Sequence, residues 1–283
     1  MKGIIIAAGY GTRFLPATKT IPKEMFPLID TPAIDFIIDE FEKSGIKDIL
    51  IVTSRRKKSL EDYFDKEIEL ETVFNAEENI SKLESIKTRD LNIFFTRQME
   101  MKGTGHAIMT AKAFVAEEPF IIAYPDDLVF SDIPLSKQLI DIYNKTGGSV
   151  LAVEEVSGDV SRYGVIKYSK QNDLLKVEQI IEKPAKGTEP SQMISVGRYL
   201  FTPELFKLLE KDYANHSKGE FYHINAINSM ATKEHLFACQ YTGKRIDVGD
   251  KLGYFEGIIR YALMRDDLKS GAEEILKNIY KNL

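Results

Sequence analysis

The run GIIIAA, residues 3–8, passes without a polar break into a segment that holds Gly9, Gly11, Pro16, Pro22 and Pro27 before residue 30. An unbroken apolar run of that length reads as a strand buried on both faces. Regular helix cannot follow it, because each proline lacks an amide donor and collides with the preceding turn. What remains is a long loop, and long loops inside compact domains are usually functional.

Beyond the loop, strand-like and helix-like stretches alternate. Thr31 is placed to N-cap a helix with Pro32 in its first turn, Ile34, Ile37, Ile38 and Phe41 on one face and Gly45 at its end. DILIVT (48–53) follows as a strand, and LNIFFT (91–96) and PFIIAY (119–124) repeat the pattern. Ile108, Ala111 and Val115 mark one amphipathic helix between them, while the polar segment 75–90 reads as a solvated helix. SVLAVEEV (149–156), YGVIKY (163–168), LLKVEQIIE (174–182) and MISVGRYLF (193–201) then crowd together with no helix among them. Leu205, Leu208 and Leu209 mark a helix begun by Thr202 and Pro203, LFACQYTG (236–243) is another strand, and Ile275, Leu276 and Ile279 share one face of a terminal helix. These elements predict an α/β protein, a three-layer sandwich around a mixed, mainly parallel central sheet. With no linker-like or repeated segment, residues 1–283 read as a single domain whose part from about 250 is mainly helical.

Composition excludes several functions. Lysine and arginine number 38 against 43 acids, a net charge of −5, so no general grip on nucleic acid or an anionic membrane is expected and bound anions must be met locally. The single Cys239 excludes an internal disulfide, and one Cys with four His makes a zinc cage an unsuitable reading. Apolar runs are far too short to span a bilayer and MKGIIIAAG has no cleavage pattern, which predicts a cytoplasmic enzyme.

The loop supplies the local cations. Gly9 and Gly11 let the backbone approach a ligand and turn successive amides toward an anion. Arg13, Lys19 and Lys23 add charge, so a triphosphate or pyrophosphate is the fitting ligand. Two familiar nucleotide motifs fail here. No Gly-Lys-Ser/Thr closes a P-loop, and Phe14 stands where a dinucleotide fingerprint needs its third glycine.

AAGYGTRFLPATKTIPKEMFPL, with KGTGHA (102–107), YPDD (124–127), RYGVI (162–166), EKP (182–184), VGRY (196–199) and DVGDKLGY (247–254), resembles the sugar-1-phosphate nucleotidyltransferases, in the family's order over nearly the whole chain. PATKTIPKEMFPLID is especially similar to the branch that joins UTP to glucose 1-phosphate. The resemblance implies a Rossmann-like nucleotidyltransferase fold, a Mg²⁺ cofactor, UTP and glucose 1-phosphate as substrates, UDP-glucose and pyrophosphate as products, and a homodimer or homotetramer.

Residue by residue, the resemblance implies that Asp126 and Asp247 hold the metal, for which hard carboxylate oxygens suit Mg²⁺. Ala8, Gly9, Gly11 and Thr12 carry the nucleotide, Glu24 and Gln98 meet the base edge and Gly103 leaves room for it. Gly164, Glu182, Val196 and Gly197 match the hexose positions, while Arg13, Lys23 and Lys183 neutralise phosphate charge. Asp127 touches the sugar or a metal-bound water, or caps a turn, and His106 reads as a helix-start residue rather than a base. One departure stands out. Where the uridylyltransferases carry Gly-Glu-Ile-Gln-Leu-Thr-Asp-Ala, this chain reads GEFYHINA (219–226), which puts its sugar preference or its local packing at variance with the family. A related transferase using dTTP or another hexose 1-phosphate is the nearest rival. An NADP-dependent dehydrogenase, with Arg55 and Arg56 on a 2′-phosphate, and a UTP sensor that releases no pyrophosphate are the others.

Overall fold

A computed structural model describes residues 1–233 and 235–282. The chain begins with β1 (Lys2–Ile6), runs through three short 3-10 turns, and forms a small hairpin from β2 (Pro27–Leu28) and β3 (Thr31–Pro32). Next come α1 (Ala33–Lys43), β4 (Asp48–Thr53), α2 (Lys58–Phe64), α3 (Ile68–Ala76), α4 (Ile80–Ser85) and β5 (Asn92–Arg97). Then follow α5 (Thr104–Met109), α6 (Lys112–Val115), β6 (Phe120–Ala123), β7 (Asp127–Phe130) and α7 (Leu135–Thr146). The strand-rich middle holds β8 (Ser149–Glu155), β9 (Gly164–Gln171), β10 (Leu174–Glu182) and β11 (Met193–Phe201). The rest is α8 (Glu204–Ala214), α9 (Ile224–Thr232), β12 (Leu236–Gln240), β13 (Lys244–Asp247), α10 (Lys251–Met264) and α11 (Lys269–Lys281).

One sheet dominates, in the order β5-β4-β1-β6-β11-β8-β12-β10-β9. Successive β1 side chains alternate between two cores. Ile4 and Ile6 pack with residues of α5, α8 and α9, whereas Ile5 packs with those of α1 and α7. Both faces are thus covered, which is why the strand reads as a continuous apolar run.

The sheet is mixed, and the expectation that it is mainly parallel does not hold. Parallel pairing is confined to β5, β4, β1 and β6 and to the β8–β12 pair, while β11 runs antiparallel to β6, β8 and β9, and β10 to β9 and β12. The cause is the clustering of strands between 149 and 201, since parallel neighbours need a crossover that those strands lack. Two helix readings also change. Thr31 does not cap α1: it pairs with Leu28 in the hairpin and its hydroxyl donates to Asp30, and the helix begins after Pro32. The single helix expected over 108–115 is two, broken around Thr110, whose hydroxyl bonds back to the carbonyl of Ala107.

The parallel strands place the site. β1, β4, β5 and β6 all end on one edge, where they release residues 7–11, 54–57, 98–103 and 124–126 side by side. That edge is where open α/β sheets bind their ligands.

Candidate active site

Two carboxylates meet because two short strands pair. Antiparallel β7 and β13 set Asp127 opposite Asp247, and the Val248 amide donates to the Asp126 carbonyl at 2.8 Å. The chain then turns at Gly249, whose amide donates to Asp247 Oδ1 at 2.9 Å. A Cβ on Gly249 would lie 2.8 Å from Asp126 Oδ2 and 2.9 Å from Asp247 Oδ1, so both acids crowd one point.

The glycine loop brings its cations to the same turn. Arg13 donates to the Gly249 carbonyl at 3.3 Å, and Lys23 Nζ lies 2.5 Å from Asp126 Oδ2. Gly11, in the left-handed region with φ 68°, turns the loop, and the Thr18 hydroxyl donates back to its carbonyl at 2.8 Å. Phe14 meets Phe26 and Tyr254 edge on, and Phe26 and Tyr254 pack at a tilt, at centroid distances of 5.2 to 5.8 Å, which ties the loop to α10, the helix that follows the Asp247 turn. Burial opposes the charge on Asp126, yet Lys23 overrides it and holds the carboxyl below its usual range. Asp247 goes the other way: burial, with Asp127 and Asp126 nearby, lifts it. A pair of acids with opposite shifts beside two cations is what charge crowding produces.

Ala8 is buried, and Gly9 is exposed beside it. Glu24 is turned inward. It is 1% exposed, and both its oxygens accept from Lys57 Nζ at 2.7 Å, while that ammonium also donates to the Ala7 carbonyl. The carboxylate therefore anchors the loop from below. Gln98 is 4% exposed and donates to the Gly103 carbonyl at 3.0 Å, with His106 Nδ1 at 3.1 Å. Gly103 has φ 96°, and a Cβ there would come 2.5 Å from the Phe221 carbonyl oxygen. KGTGHA is thereby laced to GEFYHINA: the Phe221 amide donates to the Lys102 carbonyl and the Gly105 amide to that of Phe221. A cavity of about 430 Å³ opens beside Gln98, lined by Tyr10, Arg55, Arg56, Arg97 and Met101 among others.

The hexose candidates gather on the neighbouring strands. Gly164 pairs with Glu182 across β9 and β10, and a Cβ on Gly164 would lie 3.1 Å from Glu182 Oε2. Val196 is buried, and the Gly197 carbonyl accepts from the Tyr124 amide at 3.1 Å. Glu182 shares a cavity of about 500 Å³ with Glu220, Tyr222 and Asn225, so the departing segment lies beside one of the hexose candidates. Lys183 is not drawn to the acids. Its side chain is 67% exposed, and among the described residues its ion pair is with Glu182 at 3.9 Å. The Asp127 carboxylate accepts from Arg245 and from the Gly197 amide. A further cavity, about 580 Å³ beside α2 and β5, holds none of these candidates.

Among the described residues no three His, Cys, Asp or Glu side chains gather to hold a metal ion. Two converging carboxylates suit an ion that keeps water and phosphate oxygens in its remaining positions, as Mg²⁺ does, so the donor set fits. Lys57 shapes the site without a sequence signal, being indistinguishable from its neighbours in the basic run RRKK. Arg245 likewise carries no signal of its own, standing beside Lys244 as one more basic residue.

A mixed sheet that gathers the cations of a glycine loop and two converging acids on one edge is suited to transferring a phosphate-linked group. The sequence profile of the Nucleotidyl transferase family matches residues 2–262, and the chain belongs to that family. It is 45% identical over 282 residues to the UTP–glucose-1-phosphate uridylyltransferase of Staphylococcus epidermidis, covering 98% of each chain. Among solved structures it resembles a UTP-bound UGPase from Acinetobacter baumannii, with TM-score 0.88, 31% identity and coverage of 97% and 98%. It also resembles a UDP-glucose pyrophosphorylase complexed with UDP-glucose, with TM-score 0.82, 37% identity and coverage of 93% and 99%.

Proposed function

We propose that the chain transfers the uridylyl group of UTP to glucose 1-phosphate, forming UDP-glucose and releasing pyrophosphate. The observation that carries this is the meeting of Asp126, Asp247, Arg13 and Lys23 around Gly249, at the end of the strand that delivers the glycine loop. A phosphate oxygen of the sugar phosphate attacks the α-phosphorus in line. The new P–O bond forms as the bond to the β-phosphate oxygen breaks, and that oxygen leaves with pyrophosphate. No side chain need move a proton, because the attacking oxygen is already ionised at neutral pH. His106 is accordingly not a base, and burial holds it below its usual pKa.

Catalysis is then positioning and charge neutralisation. Arg13 and Lys23 meet the charge that grows on pyrophosphate. The backbone of Ala8 and Gly9, with Gln98 and Gly103, holds the uracil, and Gly11 and Thr12 hold the phosphates. Glu182 accepts from two sugar hydroxyls beside Gly164, Val196 and Gly197, and Lys183 turns toward the sugar phosphate. Asp126 and Asp247 would hold Mg²⁺, which supplies a Lewis-acid charge that shields the phosphate oxygens. The same reading takes the chain as one three-layer nucleotidyltransferase domain of the cytoplasm that assembles as a homodimer or homotetramer. The two apolar cores on opposite faces of the sheet support the layering, and the exposed Ile275 and Ile279 of α11 offer a second copy an apolar face. Among the described residues no helix is long and apolar enough to cross a membrane.

A second reading, transfer to another hexose 1-phosphate or from dTTP, draws on Tyr222 and Asn225 in the cavity of Glu182. Pyrophosphate release with Mg²⁺ across UTP and dTTP, and across glucose, galactose and N-acetylglucosamine 1-phosphates, decides between them. The expected result is fastest release with UTP and glucose 1-phosphate. A clear preference for another pair establishes the second reading, and no release with any pair ends both.

A further inference from the structure

Asp127 stands next to a proposed metal ligand, yet its carboxylate is committed elsewhere. Oδ1 accepts from Arg245 Nε at 2.6 Å, and Oδ2 accepts from Arg245 Nη2 at 3.1 Å and from the Gly197 amide at 2.7 Å. The two side chains are only 12% and 13% exposed. Two parallel N–H···O contacts fix the plane of a carboxylate as well as its distance. A Cβ on Gly197 would fall 2.9 Å from Asp127 Oδ2, so the absence of a side chain there is what lets the carboxylate reach the amide.

Arg245 reaches both ends of the site. Its Nη2 lies 3.6 Å from Asp247 Oδ2, and its guanidinium sits 5.8 Å from the centre of the Tyr163 ring. Asp247 is 41% exposed at its side chain, so apart from the Gly249 amide its orientation rests on this neighbour. On the other side the Gly197 carbonyl accepts from the Tyr124 amide and from Arg198 Nη1. This one fork, carried by β13 itself, therefore faces the second acid of its own strand and, through Asp127, the β11 residue assigned to the sugar.

We propose that Asp127 and Arg245 are a positioning pair for uridylyl transfer, setting Asp247 against Asp126 and fixing the Val196–Gly197 backbone at one spacing from them. Neither contacts substrate or cation. The proposal rests on the reading of Asp126 and Asp247 as cation ligands and of Gly197 as a sugar contact. Lysine cannot replace Arg245, because a single ammonium cannot hold both oxygens of Asp127 in a plane while also facing Asp247.

The test compares the full-length wild type with Asp127→Asn, Arg245→Met, Arg245→Lys and the Asp127→Asn/Arg245→Met double variant. Four quantities are read: Mn²⁺ affinity without substrate by electron paramagnetic resonance, KM for glucose 1-phosphate, kcat, and Tm. Each single variant, Arg245→Lys included, is expected to weaken Mn²⁺ binding and raise the sugar-phosphate KM by about tenfold to a hundredfold. The double variant is expected to be no worse than the poorer single one, as for two halves of one device. The proposal is overturned if Arg245→Lys matches the wild type, if the two losses add in the double variant, or if Tm falls while Mn²⁺ affinity and KM stay put. If the wild type itself does not turn over UTP and glucose 1-phosphate, the functional reading fails, and the Mn²⁺ arm still decides the role of the pair.

Discussion

His223 replaces the leucine of the uridylyltransferase pattern and is the clearest single-residue consequence of the GEFYHINA departure. It is 6% exposed, its Nδ1 lies 3.1 Å from the Thr104 hydroxyl, its ring meets Tyr199 edge on, and among the described residues its Nε2 has no partner. Burial lowers its pKa from 6.5 to about 4, so the fold holds it neutral. The unfolded chain takes up a proton near 6.5 and the folded chain only near 4, so stability is full above 6.5 and drains away as pH falls between those values. The loss is on the order of 3 kcal/mol. His223→Leu removes this dependence while leaving any cost at the Thr104 hydroxyl independent of pH. Urea unfolding of both proteins at neutral pH and near pH 4.5 should show the variant gaining on the wild type in acid, whereas parallel losses would refute the assignment. Nothing similar was legible for Glu24, because a carboxylate between Lys23 and Met25 looks the same in sequence whether it lies on the surface or beneath the loop.

At the level of elements, the site depends on how α10 starts. Asp250 caps the helix by accepting from the Leu252 and Gly253 amides, each at 3.0 Å. The first turn lies directly on the Asp247 backbone, where a Cβ on Gly253 would come 1.9 Å from the Asp247 carbonyl oxygen. Gly253→Ala must therefore push α10 and β13 apart, moving Asp247 away from Asp126. The expected outcome is a stability loss of about 2 kcal/mol or more, of the size seen for overpacked sites, together with a higher Mg²⁺ requirement in the pyrophosphate assay. Wild-type Tm and an unchanged Mg²⁺ titration would show that the helix start has room to spare. The DVGDKLGY motif marks this place in sequence, but not the reason for its second glycine.

Across the whole molecule, one buried ion pair joins the layers behind the site. Glu40 of α1 accepts from Arg198 of β11 at 2.8 and 2.7 Å and from the Ser136 amide of α7 at 2.9 Å, with Arg198 only 1% exposed. Arg198 also donates to the Gly197 carbonyl, so the pair reaches that residue of β11 from within the core. Arg198→Met leaves Glu40 charged, buried and without its counter-ion, at a cost of about 3–5 kcal/mol. Denaturant unfolding should show a matching fall in midpoint, and a variant within about 0.5 kcal/mol of wild type would mean that Glu40 reaches water or a new donor.

Sequence alone determined the alternation of elements in the first half, the nine strands of the main sheet to within a few residues, and the loop that no regular α-helix could occupy. These are local properties, since apolar runs, proline and glycine act over a few neighbouring residues. The order of the motifs further pointed to the family. Only the tertiary structure decided that half the sheet is antiparallel, that Asp126 and Asp247 crowd one turn, and that Glu24 faces inward to Lys57. It alone tied Asp127 to Arg245, 118 residues along the chain. Such pairings depend on which strands become neighbours and on which charges burial forces together, and neither is written in any short stretch of residues.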